Sequence, residues 1–154
     1  MSVPRILVDA DACPVKEEVY KVALRHGVAV VIVTNGGVRI PEHPLIRREI
    51  VSEAFDAADD YIAARADGRA IVITGDILLA ERCLKAGGVV IAPNGKPFTT
   101  SSIGAAIAMR AIMADIRGSG DPTAGGGARP FSKEDRARFL EALDAALVRM
   151  KRAP

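Results

Sequence analysis

The sequence predicts an α/β fold: a three-layer sandwich around a mostly parallel sheet of roughly five strands. Two observations carry this. Short apolar, β-branched runs alternate with segments of helical period, the pattern of β-α-β units covered on both faces. Glycine pairs or Gly-Asp steps punctuate most of the joins.

Ile6-Leu7-Val8 is the first apolar run and ends in Asp9-Ala10-Asp11. Pro14 sits where a first-turn helix proline is tolerated. A helix over Val15 to His26 follows, with Val15, Val19, Val22 and Ala23 on one stripe and Gly27 as its C′ residue. Val28 to Thr34 is almost entirely apolar and β-branched, as a strand buried on both faces requires. Asn35-Gly36-Gly37 breaks it, and Arg39 to Pro44, with two prolines, reads as a loop.

Ile46 to Ser52 alternates weakly and predicts a third strand, with a helix through Glu53 as the rival. Asp56 to Ala66 has helical spacing. Ala70 to Thr74 is a further strand, followed by Gly75-Asp76, a helix over Ile77 to Ala86, and a fifth short strand over Val89 to Ala92. Pro93 to Pro97 reads as a turn. Ser102 stands where it can cap a helix of about Ile103 to Arg117.

These elements fill residues 1–117, one α/β domain. Residues 118–154 form a Gly-rich loop and a C-terminal helix that packs on the same domain. Ser132-Lys133-Glu134-Asp135 has the form of a capping box. Phe139, Leu143 and Leu147 make one apolar stripe, too thin to stand alone.

Composition excludes several classes. A chain of 154 residues with 49% hydrophobic and 26% charged content is neither disordered nor in need of disulfide staples. The longest apolar run is too short to span a bilayer, and the N-terminal residues lack the make-up of a secretion signal. A cytoplasmic, non-membrane protein is expected. Cys13 and Cys83 lack zinc-type spacing. With no Trp and 4% aromatic residues, a base-stacking surface of the single-strand-binding kind is not expected. The net charge of +2 neither demands nor excludes nucleic acid.

In parallel α/β sheets, ligands bind beyond the carboxyl ends of the strands. Those ends carry carboxylates here. In extended backbone, Asp9 and Asp11 point to one side. Asp76 follows the fourth strand as either a helix cap or a ligand. Asp56, Asp59 and Asp60 open another helix, where acids also suit the helix dipole. Several carboxylates at one edge raise one another's pKa unless a cation offsets them. Mg²⁺ or Mn²⁺ is the natural partner of such hard oxygen donors, and it suits hydrolysis at phosphorus. The candidate metal ligands are Asp9, Asp11, Asp59 and Asp76, and the catalytic set adds Asp60.

Basic and hydroxyl groups extend the candidate site. Lys16, Arg47 and Arg129 are candidate phosphate contacts, among a wider set that includes Arg39, Arg48, Lys96, Lys133, Arg136 and Arg138. Thr34, Asn35 and Thr74 stand at strand ends, where they can position water or phosphate. Cys13 lacks an evident base and reads as a packing residue. His26, at a helix C-terminus, reads as a dipole partner.

Asp9 to Val15, Thr74-Gly75-Asp76-Ile77, Phe55 to Ile62, and Gly126 to Phe131 followed by Asp135-Arg136 resemble the YaiI/YqxD family of small bacterial proteins. The resemblance runs in order over nearly the whole chain. That family is similar in fold to PIN-like nuclease domains, which are Mg²⁺- or Mn²⁺-dependent ribonucleases with acids at the sheet edge. The resemblance implies that Asp9 is the first-strand acid with Asp11 its neighbour. It makes Asp76 the acid after the fourth strand, and Asp59 or Asp60 the helix-borne acid. RNA is the implied partner.

Two other readings compete. Asp9-x-Asp11, Val31 to Asn35 and Gly75-Asp76 resemble the motifs of haloacid-dehalogenase-type phosphatases, which would make Asp9 a nucleophile and Asp11 the general acid/base. Cys13 stands where a Thr is usual in that family, and no second acid follows Asp76 within four residues. A non-catalytic nucleic-acid-binding module would keep the basic residues and tolerate loss of the acids.

Overall fold

The computed structural model describes residues 3–54, 56–118 and 130–152. Six strands form one sheet: β1 (Arg5–Asp9), β2 (Ala29–Thr34), β3 (Ile46–Ile50), β4 (Ala70–Ile73), β5 (Val89–Ile91) and β6 (Pro97–Phe98). Their spatial order is β3-β2-β1-β4-β5-β6. All neighbours are parallel except β5 and β6. The parallel five match the sequence expectation, and Ile46–Ile50 is a strand rather than a helix. The sixth strand is a correction. Pro97 and Phe98 pair back onto Ile91 and Val90, so the turn at Pro93 to Lys96 closes a hairpin. A two-residue strand containing a proline has no periodicity to detect, and proline is tolerated there because the strand lies at an edge.

The helices are α1 (Lys16–His26), α2 (Ala57–Arg65), α3 (Ile77–Lys85), α4 (Ile103–Gly118) and α5 (Lys133–Arg152). Alternation along each strand sends side chains to opposite faces. Ile6, Val8, Val30, Ile32, Ile71 and Ile73 pack under α1 and α5. Leu7, Val31, Val33, Val72 and Val90 pack under α2, α3 and the start of α4. Three layers result. A sheet buried on both faces explains why β1, β2 and β4 read as nearly unbroken apolar runs.

The α5 stripe docks as expected, with Phe139, Leu143 and Leu147 fully buried. Burial of each such side chain stabilises by about 1.5–3 kcal/mol. The capping box is real: Asp135 N–H donates to Ser132 Oγ at 3.1 Å and Ser132 N–H to the Asp135 carboxylate at 2.9 Å. His26 does meet a partner at its helix end. Its Nε2 lies 2.7 Å from Asp144 Oδ1 of α5, which holds that carboxyl below its ordinary range. The expected Gly-rich loop lies outside the described residues.

The strand order reverses at β1. The chain steps from β1 to β2 and β3 on one side, then crosses to β4 on the other. The crevice beyond the carboxyl ends of β1 and β4 is therefore the switch point, where such sheets bind ligands.

Candidate active site

Asp9 is the last residue of β1 and so stands at that switch point. It is half-buried, and its Oδ2 accepts a 2.8 Å hydrogen bond from Thr74 Oγ1, just past the end of β4. The same Thr74 oxygen accepts from Asp76 N–H at 3.0 Å. Asp76 in turn caps α3, its Oδ1 accepting from Leu78 and Leu79 N–H at 2.9 and 3.1 Å. Cap and candidate ligand are thus one residue, since a cap engages a single carboxylate oxygen here. Asp59, in the first turn of α2, lies within reach of the charges of both acids.

The electrostatics follow from this proximity. Burial raises the Asp9 pKa, opposed by the Thr74 hydrogen bond and assisted by Asp76 and Asp11. Asp59 is pushed up to about 6, first by burial and then by the charges of Asp76, Asp9 and Asp56. No hydrogen bond reaches its carboxylate among the described residues. Three acids from distant parts of the chain therefore share one field.

Asp11 departs from expectation. The backbone does not stay extended after Asp9; Ala10–Ala12 form a single 3₁₀ turn. That turn breaks the period-two alternation and aims Asp11 at the end of β2. There both its oxygens are used, one by buried Thr34 Oγ1 at 2.5 Å and one by Asn35 N–H at 3.0 Å. The Thr34 hydroxyl also accepts from Gly36 N–H at 3.0 Å. Thr34 with Asp11 thus repeats the arrangement of Thr74 with Asp9, one strand to either side of β1.

Other candidates sort cleanly. Asp60 is exposed and paired with Arg82 at 2.9 Å. Lys16 Nζ donates to the Ala10 and Cys13 carbonyls at 3.1 and 2.8 Å, holding the 3₁₀ turn instead of facing solvent. Arg47 lies opposite Val31, short of the carboxyl edge, and bonds Glu49 and Tyr61. These three have one thing in common: a sequence shows charge but not the neighbour that uses it. Asn35 and Asp59 line one polar depression of about 220 Å³. Arg129 lies outside the described residues. Cys13 is buried and its thiol is pushed up by that burial, in keeping with a packing role.

Hard-oxygen donors are present: Asp9 and Asp76 each hold one oxygen that no described group engages, and Asp59 holds two. The donor chemistry fits Mg²⁺ or Mn²⁺, which keep several waters and bind few carboxylates. The carboxylates nevertheless stand apart. Among the described residues, no three acid, His or Cys side chains form a ready-made metal group. Ion binding would draw them together or use bridging water.

A second feature was missed by sequence reasoning. Beside Gly75, a largely apolar cavity of about 460 Å³ opens between the β1–α1 and β5–β6 connections, with Phe98 and Phe131 in its walls. Its members come from four separate segments, so no local motif announces it. Among the described residues, no helix is long and apolar enough to cross a membrane.

Comparison with known proteins follows the same residues. A family model described as "Uncharacterized BCR, YaiI/YqxD family" matches residues 7–149. A "UPF0178 protein" of Sphingopyxis alaskensis is 67% identical over 99% of this chain and 98% of its own length. Its counterpart in Nitrobacter winogradskyi is 57% identical over 99% and 96%. Another, from a Bradyrhizobium strain, is 53% identical over 96% and 88%. No solved structure matches. Matched from the first strand to the last helix, the chain belongs to the YaiI/YqxD family.

Proposed function

We propose that this protein is a Mg²⁺- or Mn²⁺-dependent phosphodiesterase that cleaves single-stranded RNA in the cytoplasm. The observation that carries the reading is the Thr74 hydroxyl, which bonds both the Asp9 carboxylate and the Asp76 amide and so ties the end of β1 to the start of α3 at the switch point, where the charges of Asp9 and Asp76 also act on Asp59. Asp9 and Asp76, with Asp59, would hold the ion, which would supply activated water and offset charge at phosphorus. Thr74 fixes the Asp9 carboxylate. The α3 cap fixes Asp76. The raised pKa of Asp59 reflects burial and the repulsion among these acids, which a bound cation would offset.

The geometry favours this over the phosphatase reading. Asp11, the general acid there, spends both oxygens on Thr34 and Asn35.

The test is cleavage of end-labelled single-stranded RNA with Mn²⁺ or Mg²⁺. Asp9→Asn and Asp76→Asn are each expected to lose at least about 100-fold in rate, and EDTA to abolish cutting. Wild-type rates in either variant would overturn the reading. Hydrolysis of p-nitrophenyl phosphate with beryllofluoride trapped on Asp9 would install the phosphatase instead. RNA bound equally by wild type and both variants, and never cut, would leave a binding module.

A further inference from the structure

We propose that the cavity on the β4–β5 side of the switch point is a base-binding site, taking the nucleobase of the RNA nucleotide next to the cleaved phosphate. The inference deepens the phosphodiesterase reading and rests on it. Two of the chain's four phenylalanines, Phe98 and Phe131, line this one cavity. Flat rings stack bases of any sequence because every base presents a π-face. Pro14 and Pro93 add rigid apolar wall. The volume of about 460 Å³ lies in the range of small-ligand sites.

The walls are held in place. The Arg136 guanidinium sits 5.0 Å from the Phe131 ring centroid and donates to the Pro14 carbonyl at 2.7 Å, tying one wall to the other. Phe98 is held by pairing with Val90. The rim is polar on one side. Asn94 Oδ1 accepts from Lys96 N–H at 3.0 Å, which leaves the amide NH₂ to face a ligand. The Lys96 ammonium is exposed and makes no ion pair among the described residues. A cation at an apolar slot suits an anionic ligand with a flat apolar part, which a nucleotide is and a neutral lipid is not. Gly75, between Thr74 and Asp76, also lines the cavity. A base seated there has its phosphate beside the carboxylates.

Fluorescence polarisation of a short labelled single-stranded RNA, in EDTA so that nothing is cut, tests binding alone. Phe98→Leu and Phe131→Leu are each expected to weaken binding about 10-fold. An abasic backbone of the same length should bind wild type as poorly as the variants bind RNA. Lys96→Met should lower the salt dependence by about one phosphate contact. Should a Phe variant fail to fold, nuclear magnetic resonance of the wild-type chain titrated with AMP or UMP reads the same site. Shifts at Gly75, Asn94 and Lys96 support it, and shifts confined elsewhere overturn it. Unchanged RNA affinity in both folded Phe variants overturns it too. Ring-dependent binding without any cutting in Mn²⁺ supports the base site and removes only the phosphodiesterase reading. Wild-type cutting by both Phe variants removes only the base site.

Discussion

Thr74 donates its hydroxyl to Asp9 and accepts the amide of Asp76 with the same oxygen, so one buried side chain joins two strand-end acids. Thr74→Val keeps the shape and removes both bonds. Two polar groups are then left short of a partner, at a cost of about 1–3 kcal/mol. The Thr74 bond lowers the Asp9 pKa against burial, so its loss raises that pKa further. Metal-dependent cleavage should then need more alkaline pH. Thr74→Ser should restore both stability and pH profile. Urea denaturation and a pH–rate profile check the two arms, and a Thr74→Val profile identical to wild type would count against the coupling.

Asp59 sets a pH dependence of opposite sign to the usual acid. Its folded pKa, about 6, lies above the ordinary aspartate value of 3.8. Below that unfolded value both states hold the proton and Asp59 contributes nothing. Between the two values only the folded state keeps it, so stability falls as pH rises. Above about 6 the full penalty persists. The side chain is substantially exposed, and with solvent screening the penalty is about 1 kcal/mol. Asp59→Asn should melt higher than wild type at pH 8 and equally at pH 3.5. Thermal melts across that range read the difference.

A divalent ion should remove the same penalty. Mn²⁺ is expected to raise the melting temperature of wild type at pH 8, because a ligand that binds only the folded state stabilises it. Asp9→Asn and Asp76→Asn should respond weakly. Asp76→Ala should lose a further contribution of about 1 kcal/mol, because Ala abolishes the α3 cap while Asn retains it. A Mn²⁺ shift equal in wild type and Asp9→Asn would place the ion elsewhere.

The fold was legible because β1, β2 and β4 are buried on both faces and must be apolar and β-branched throughout, a signal local to each segment. Asp9 and Asp76 were legible for the same reason, as acids terminating such runs. Asp11 was not. The chain turns into 3₁₀ after Asp9, where the Lys16 ammonium bonds the Ala10 and Cys13 carbonyls, and nothing in the apolar run before it marks that change. Asp59 and Asp60 differ by one helix position, and only Arg82, far along the chain, tells them apart. The cavity beside Gly75 depends on β6, which is too short to show a period.

Gly95 offers the sharpest test of how that cavity is held. It has φ +88, in the region that favours glycine. A Cβ there would lie 2.6 Å from the Arg138 carbonyl carbon and 2.7 Å from Phe139 N, both backbone atoms of α5. The β5–β6 turn therefore rests directly on α5, whose first residue lies two positions after Phe131. Gly95→Ala must strain φ and push the turn off the helix, at a cost of about 2–4 kcal/mol. Because Asn94 and Lys96 flank this position, the displacement should also weaken RNA binding in EDTA. The Thr74–Asp9 bond lies on the other side of Gly75, so the Mn²⁺-induced melting shift should survive. A Gly95→Ala chain with wild-type stability would mean that the turn does not sit against α5.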